Sequence, residues 1–222
     1  MKLCFYDNLP LRSGVLNFSE SYSENEFIVQ ISQTLELDKV FSLKQVSTDT
    51  IIEISIDDLK RKSDYDLGEA DAVIINLSEP ILKPFAVGIK AADCLPILVY
   101  SEKQVALIHA GWRGLGMGLI EKTLNQLKAN LSDEADIKVL IGAAAKSCCY
   151  QVGKDVLEFV GVESQQEKEN IDLQELAHAR IKSVCPHAQF SFDLRCTICS
   201  RDLHSYRDNK TTLRNFTFVI FE

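Results

Sequence analysis

The spacing of apolar and polar positions divides the chain into short strands and amphipathic helices. Residues 2–6 read as a strand, followed by a polar Ser/Glu/Asn stretch to about Asn25. Within Glu26–Leu37, Phe27, Ile28, Ile31 and Leu35 recur at helical spacing, since residues three and four apart share one helix face. Two β-rich runs, Phe41–Val46 and Thr50–Ser55, precede a charged loop through Asp57 to Asp66. Ala70–Leu77 and Gln104–Ala110 have strand length. Phe85–Tyr100 is a long β-leaning stretch in which Pro96 marks an edge, a bulge or a break.

Beyond Gly114 the period changes. Ile120, Leu124, Leu127 and Leu131 form one face of an amphipathic helix. Ile137–Ile141 reads as a strand and Val152–Val160 as a helix. Asp172 with Glu175 resembles a capping pair opening a helix that carries Leu173, Leu176, Ile181 and Val184, and Phe216–Phe221 is a final strand. Strands alternate with helices, which predicts an α/β fold over an all-β fold or a bundle. There is no internal repeat, and the charged stretch Glu163–Asn170 reads as a solvated loop, so one domain is expected over residues 1–222.

Charge narrows the partners. The net charge is −8 and there is no basic stripe, so nucleic acid is not an expected partner. Local arginines can still hold a small anion on an acidic protein. No segment approaches the ~18 apolar residues of a membrane span, and Lys2 and Asp7 interrupt any signal-like start, so the expectation is a cytoplasmic protein without a membrane partner. Seven scattered cysteines, an odd number, suit free thiols better than a disulfide framework.

The densest chemistry lies between Ala91 and Gly114. Asp93-Cys94 ends one apolar run, and His109-Ala110-Gly111-Trp112-Arg113-Gly114 ends the next, with the polar Ser101-Glu102-Lys103 between them. A hairpin centred on Ser101-Glu102 would set Cys94 directly opposite His109, with Cβ atoms ~5 Å apart on one face. A thiolate and an imidazole so placed suit a shared zinc ion, with bonds of ~2.0–2.3 Å, or a nucleophile–base pair. The plain alternative is a buried thiol and a core histidine on neighbouring strands. Gly111 and Gly114 would let the backbone approach a ligand, and Arg113 at a helix start would suit phosphate or carboxylate. Trp112 is expected to pack in the core.

Ala92-Asp93-Cys94-Leu95-Pro96 and His109-Ala110-Gly111-Trp112-Arg113-Gly114 resemble the two central signatures of the YfiH-type laccase-domain family. Ile141-Gly142, Cys148-Cys149-Tyr150-Gln151-Val152-Gly153, Asp172-Leu173, Cys196-Thr197 and Ser205-Tyr206-Arg207 are similar to its later blocks, in order. The resemblance implies mixed β-sheets flanked by helices in α/β/β/α layers. It also implies a zinc site and phosphorolysis of purine nucleosides (adenosine, inosine, methylthioadenosine), with some adenosine deamination. Purine nucleoside and phosphate are then the expected partners. Cys94 and His109 fit zinc ligands, Asp93, Cys94, His109 and Arg113 the catalytic positions, and Arg113, Arg207 and Arg214 the substrate-binding ones.

The chain departs from the family where Gln-Val-His becomes Gln45-Val46-Ser47, which removes the histidine among the zinc ligands. Zinc is therefore expected to bind weakly, unless His204, just before Ser205-Tyr206-Arg207, replaces the missing ligand. Other departures are Arg207-Asp208, Leu213 before Arg214, Gly142-Ala143 and Gln151. The missing ligand also opens two alternatives: a metal-free cysteine hydrolase acting on a muropeptide precursor, with Cys94 as nucleophile and His109 as base, or a non-catalytic relative. The Cys196/Cys199 pair alone is weak evidence for a metal, and adjacent Cys148 and Cys149 could not both enter one pocket from a regular strand. His178 and His187 are expected to have no catalytic role. Four histidines in total are too few for the copper clusters of a literal laccase.

Overall fold

The computed structural model describes all residues except 1, 8, 64, 78, 79, 82, 133 and 134. In chain order the elements are β1 (Lys2–Tyr6), β2 (Ser13–Asn17), α1 (Glu24–Leu35), β3 (Lys39–Lys44), β4 (Ile51–Ser55), α2 (Ile56–Arg61), β5 (Asp66–Glu69), β6 (Ala72–Asn76), β7 (Phe85–Ala91), β8 (Leu95–Tyr100) and β9 (Gln104–Ala110). There follow α3 (Trp112–Gly116), α4 (Leu119–Lys128), β10 (Lys138–Ile141), β11 (Gln151–Gly153), α5 (Lys154–Phe159), β12 (Lys168–Asn170), α6 (Leu173–Val184), β13 (Gln189–Phe192), α7 (Tyr206–Asn209) and β14 (Asn215–Phe221).

Two six-stranded sheets carry the fold, in the orders β1-β2-β14-β7-β3-β5 and β13-β10-β8-β9-β6-β4. Both are mixed: β7 pairs antiparallel with β14 but parallel with β3, and β10 pairs parallel with β13 but antiparallel with β8. The layering follows from strand alternation, since successive side chains point to opposite faces. On β14, Phe216, Phe218 and Ile220 pack with Ile28, Ile31 and Leu35 of α1, while Val219 and Phe221 face the other way. On β6, Val73 and Ile75 join that central core, while Ala72 and Ile74 turn outward to a cluster with Leu119, Ile120, Leu124 and Leu127 of α4 and Ile181 of α6. β14 and β6 thus each feed two cores, and the result is the expected α/β/β/α stack. Each fully buried side chain of this size stabilises the stack by about 1.5–3 kcal/mol.

Several boundaries differ from the sequence expectation, each for a physical reason. The polar segment before Asn25 contains β2, whose five residues are all buried because β1 and β14 flank it. The charged loop Asp57–Asp66, of which residue 64 lies outside the described set, begins as helix α2. Ser55 and Asp58 form a reciprocal capping box there, and Asp57 and Asp58 favour the positive helix end. The run Phe85–Tyr100 is two strands in different sheets, broken at Asp93, whose φ is 91°. The segment after His109 is the short α3, then Gly118 at φ 74°, then α4, which ends before Leu131. Part of the Val152–Val160 segment and of Glu163–Asn170 forms the two-stranded β11–β12 sheet.

The hairpin register also differs. Tyr100 pairs with Val105 and Pro96 with His109, so the turn centres on Glu102-Lys103, not Ser101-Glu102. Ser101 explains the shift: its N–H and its Oγ both donate to the Gln104 carbonyl (2.8 and 3.0 Å), and its Oγ accepts from the Gln104 N–H (3.1 Å). Cys94 therefore stands diagonal to His109. The shift moves the pairing by two residues, which preserves the face, whereas a shift of one would have separated the two side chains.

Candidate functional site

The two sheets meet at the crossover Ala92-Asp93-Cys94, which carries the chain from β7 to β8. A cavity of about 480 Å³ opens there, lined by Lys44, Gln45, Ser47, Lys90, Ala91, Ala92, Cys94, His109, Tyr206 and Arg214. Gln45 holds one wall by acting as a strand residue with its side chain: its amide donates to the Lys90 carbonyl (2.6 Å) and accepts from the Lys90 N–H (2.8 Å). Gly111 makes room for Cys94 rather than for a ligand, since a Cβ there would lie 2.8 Å from the Cys94 sulfur.

His109 is buried, and its Nδ1 bonds the Asp71 carboxylate at 2.7 Å. The neighbouring Cys94 sulfur also favours the charged ring. Burial opposes an imidazolium here, but the Asp71 and Cys94 partners outweigh it and lift the histidine pKa to about 9. Burial likewise opposes the Asp71 carboxylate, yet its bonds to His109 and Thr48 keep its pKa below the usual value. Asp71 is fully buried and does a second job: its other oxygen accepts from the N–H groups of Val46 (3.2 Å) and Thr48 (2.7 Å) and from the Thr48 hydroxyl (3.1 Å). One carboxylate thus orients the histidine ring and pins the loop whose tip, Ser47 at φ 60°, borders the cavity.

Asp71 has no local signal in the sequence, where it reads as the polar edge of an apolar run. Its signal is a pairing: β6 and β9 run antiparallel with Ala72 opposite Ile108, which brings Asp71 opposite His109. That requires knowing which distant strands are neighbours.

The other expected site residues are placed as follows. Asp93 is buried with both carboxylate oxygens committed to protein, accepting from the Thr197 hydroxyl (2.8 Å) and the Arg207 N–H (2.7 Å). It fastens the C-terminal segment to the crossover beside Cys94. Arg214 lines the cavity, braced on the carbonyls of Thr211 and Leu213. Arg113 is exposed and lies over the half-buried Trp112 ring (4.2 Å), and Trp112 packs against Phe159. Arg207 is exposed, donating to the Gln151 carbonyl (2.8 Å) over the Tyr150 ring. Neither of these two arginines lines the cavity.

His204 does not complete the site. Its Nε2 bonds the Phe18 carbonyl at 2.7 Å, its N–H donates to Asn215, and burial holds its pKa below the ordinary histidine value. His178 packs edge-on against Phe190 and Phe192. Cys148, Cys149, Cys196 and Cys199, by contrast, do converge: three sit on turns and Cys196 at an isolated bridge that opens one, with all four sulfurs within 4.8 Å of one another.

Fold and site together define an α/β protein with a carboxylate-oriented histidine and a cysteine at the junction of two sheets. The chain belongs to the multi-copper polyphenol oxidoreductase laccase family, whose family model matches residues 4–222. A purine nucleoside phosphorylase of Aquifex aeolicus is 40% identical over 154 residues, covering 68% of this chain and 71% of that one. A second purine nucleoside phosphorylase, from Clostridium acetobutylicum, is 32% identical over 218 residues, covering 92% and 87%. The fold is that of the hypothetical protein YfiH of Bacillus licheniformis, with a TM-score of 0.76 over 98% of this chain and 99% of that one at 21% identity. Among the described residues no helix is long and apolar enough to cross a membrane.

The donor set of the cavity does not fit a three-ligand zinc ion. Cys94 and His109 supply two of the three protein ligands that a catalytic zinc uses, and among the described residues no other His, Cys, Asp or Glu lines the cavity. Ser47 occupies that wall with a neutral hydroxyl, a poor zinc donor. Ser47→His is therefore expected to tighten zinc binding by more than the about 10–100-fold that outer-shell changes produce. Zinc titration of wild type and variant checks this, and the gain should vanish when Cys94→Ala is added. Equal affinity in the two proteins would remove Ser47 from the list of ligand positions.

Proposed function

We propose that the chain is a cytoplasmic purine nucleoside phosphorylase-like enzyme acting on adenosine, inosine or methylthioadenosine. The observation that carries the proposal is the buried Asp71–His109 pair opening beside Cys94 into a cavity edged by Lys44, Lys90 and Arg214. The names of the relatives support the substrate class. Phosphorolysis needs an anion held near C1′ of the sugar and a proton for the departing base. Phosphate attacks C1′, the N-glycosidic bond breaks with its electron pair on the purine, and His109, protonated at neutral pH, donates to a purine ring nitrogen. Asp71 holds the imidazolium at Nδ1 and leaves the other ring N–H to donate, Cys94 beside it favours the charged ring, and Arg214 binds phosphate as a fork of donors. Exposed Arg113 and Arg207 add positive field that draws the anion in.

A neighbouring pocket shares Lys90 and Arg214 and is walled by Phe18, Tyr22 and Phe27, a surface on which a purine can stack. No step is assigned to a metal. The test is base release from adenosine at varied phosphate, with sugar 1-phosphate measured alongside and inosine formation reporting deamination. Base release that ignores phosphate would overturn the proposal. Arg214→Ala is expected to raise the KM for phosphate about 10–100-fold, as the loss of a charge-assisted contact would, and Arg113→Ala by much less. Steady-state kinetics in phosphate check both; the reverse ranking would move the anion to Arg113.

One observation favours a second reading. Asp71, His109 and Cys94 stand in the order carboxylate, base, nucleophile that hydrolases use, and a muropeptide precursor is the substrate class that the resemblance suggests. An acyl group trapped on Cys94, seen by peptide mass spectrometry, together with phosphate-independent turnover would establish it.

A further inference from the structure

β10 and β13 are adjacent parallel strands, so the turns that follow them leave the same end of the sheet. A lone bridge between Ala144 and Cys196 and the bond from the Thr197 N–H to the Ala144 carbonyl (3.0 Å) tie those turns together. The first turn carries Cys148 and Cys149, the second Cys196 and Cys199. The Cys148 and Cys199 sulfurs are 3.9 Å apart, and every pair among the four lies within 4.8 Å. Four thiolates at ~2.3 Å from a central zinc ion sit about 3.8 Å from one another, so the cluster matches a tetrahedral S₄ cage to within about 1 Å. Neighbouring cysteines can share one ion here because residues 147–149 form a turn, which frees them from strand alternation.

We propose that Cys148, Cys149, Cys196 and Cys199 hold one zinc ion in a closed structural site, distinct from the Cys94–His109 cavity. Four protein ligands leave no open position, and thiolates select zinc over magnesium, calcium or manganese. Thiols that bind release their protons, so no other reactant is required. The ion has a structural consequence for the cavity. It clamps the turn bearing Thr197, whose hydroxyl holds Asp93, the residue before Cys94.

The test uses the full chain, stripped of metal and titrated with Zn²⁺, with Co²⁺ as spectroscopic probe. One ion per chain is expected, with the visible bands of tetrahedral cobalt and thiolate charge transfer. The ion should survive the Cys94→Ala/His109→Ala double variant, disappear in Cys148→Ser and Cys199→Ser, and return in Cys199→His. Wild type alone also decides the matter if those variants fail to fold. Cys148 and Cys199 are exposed, as is Cys4. With Zn²⁺ present, iodoacetamide should alkylate Cys4 while sparing Cys148 and Cys199, and a chelator should abolish the difference. Alkylation of all three at equal rates in Zn²⁺, or metal that leaves with Cys94 and His109 and stays in Cys199→Ser, would overturn the proposal.

Discussion

His109→Ala is expected to lower phosphorolytic turnover by about 10²–10⁴-fold, the range for loss of a positioned acid, while the protein keeps its fold. The ring touches solvent little, but its main work is at the cavity wall, and β9 retains its ladder to β6 and β8 without it. Cys94→Ala should fall with it, because the sulfur is one of two partners that keep the imidazolium protonated. The pH profile gives an independent readout. The histidine pKa is raised from 6.5 to about 9, so turnover through a protonated His109 should persist at neutral pH and decline as pH rises through about 9. Stability follows the same sign: the contribution of the charged ring is complete below about 6.5 and is lost as pH rises through about 9. Steady-state rates from neutral to strongly basic pH, with circular dichroism on each variant, measure both. Near-full turnover in His109→Ala would remove the residue from the chemistry.

Asp71→Asn should cost about as much, close to 10⁴-fold, for a different reason. The amide can still accept from the Val46 and Thr48 N–H groups, so the Ser47 loop should stay in place. Toward His109 it presents an N–H where the ring also has one. The ring must then shed that proton or rotate, which gives the wrong tautomer. The imidazolium loses its anionic partner, so the basic limb of the pH profile should move from about 9 toward or below 6.5. Asp71→Ala removes the loop contacts as well and should destabilise the protein by about 3–5 kcal/mol, as breaking a buried pair does. Thermal denaturation separates the two variants. An Asp71→Asn protein with normal rates and an unmoved pH profile would show that the carboxylate is only a strut.

The sequence by itself determined the α/β class, most of the apolar strands and the convergence of Cys94 and His109 on one cavity, because these rest on local signals. Alternation fixes which face of a strand is buried, helical spacing marks α1, α4 and α6, and the Asp93-Cys94 and His109–Gly114 blocks keep their order. It also placed Ser47 beside those residues through the resemblance, and Ser47 does line the same cavity. Elements whose character is set by neighbours were not legible. β2 looks polar until β1 and β14 bury it, and the Phe85–Tyr100 run looks continuous until Asp93 sends its halves into different sheets. The hairpin register hung on one serine hydroxyl closing the turn at Gln104. Only the tertiary structure joined Asp71 to His109, committed His204 to the Phe18 carbonyl and drew four cysteines from two turns together. The physical reason is the same in each case. A hydrogen bond or a cluster of thiols across 38 or 51 positions of chain depends on which strands become neighbours, and that is decided by packing the whole stack, not by any local stretch.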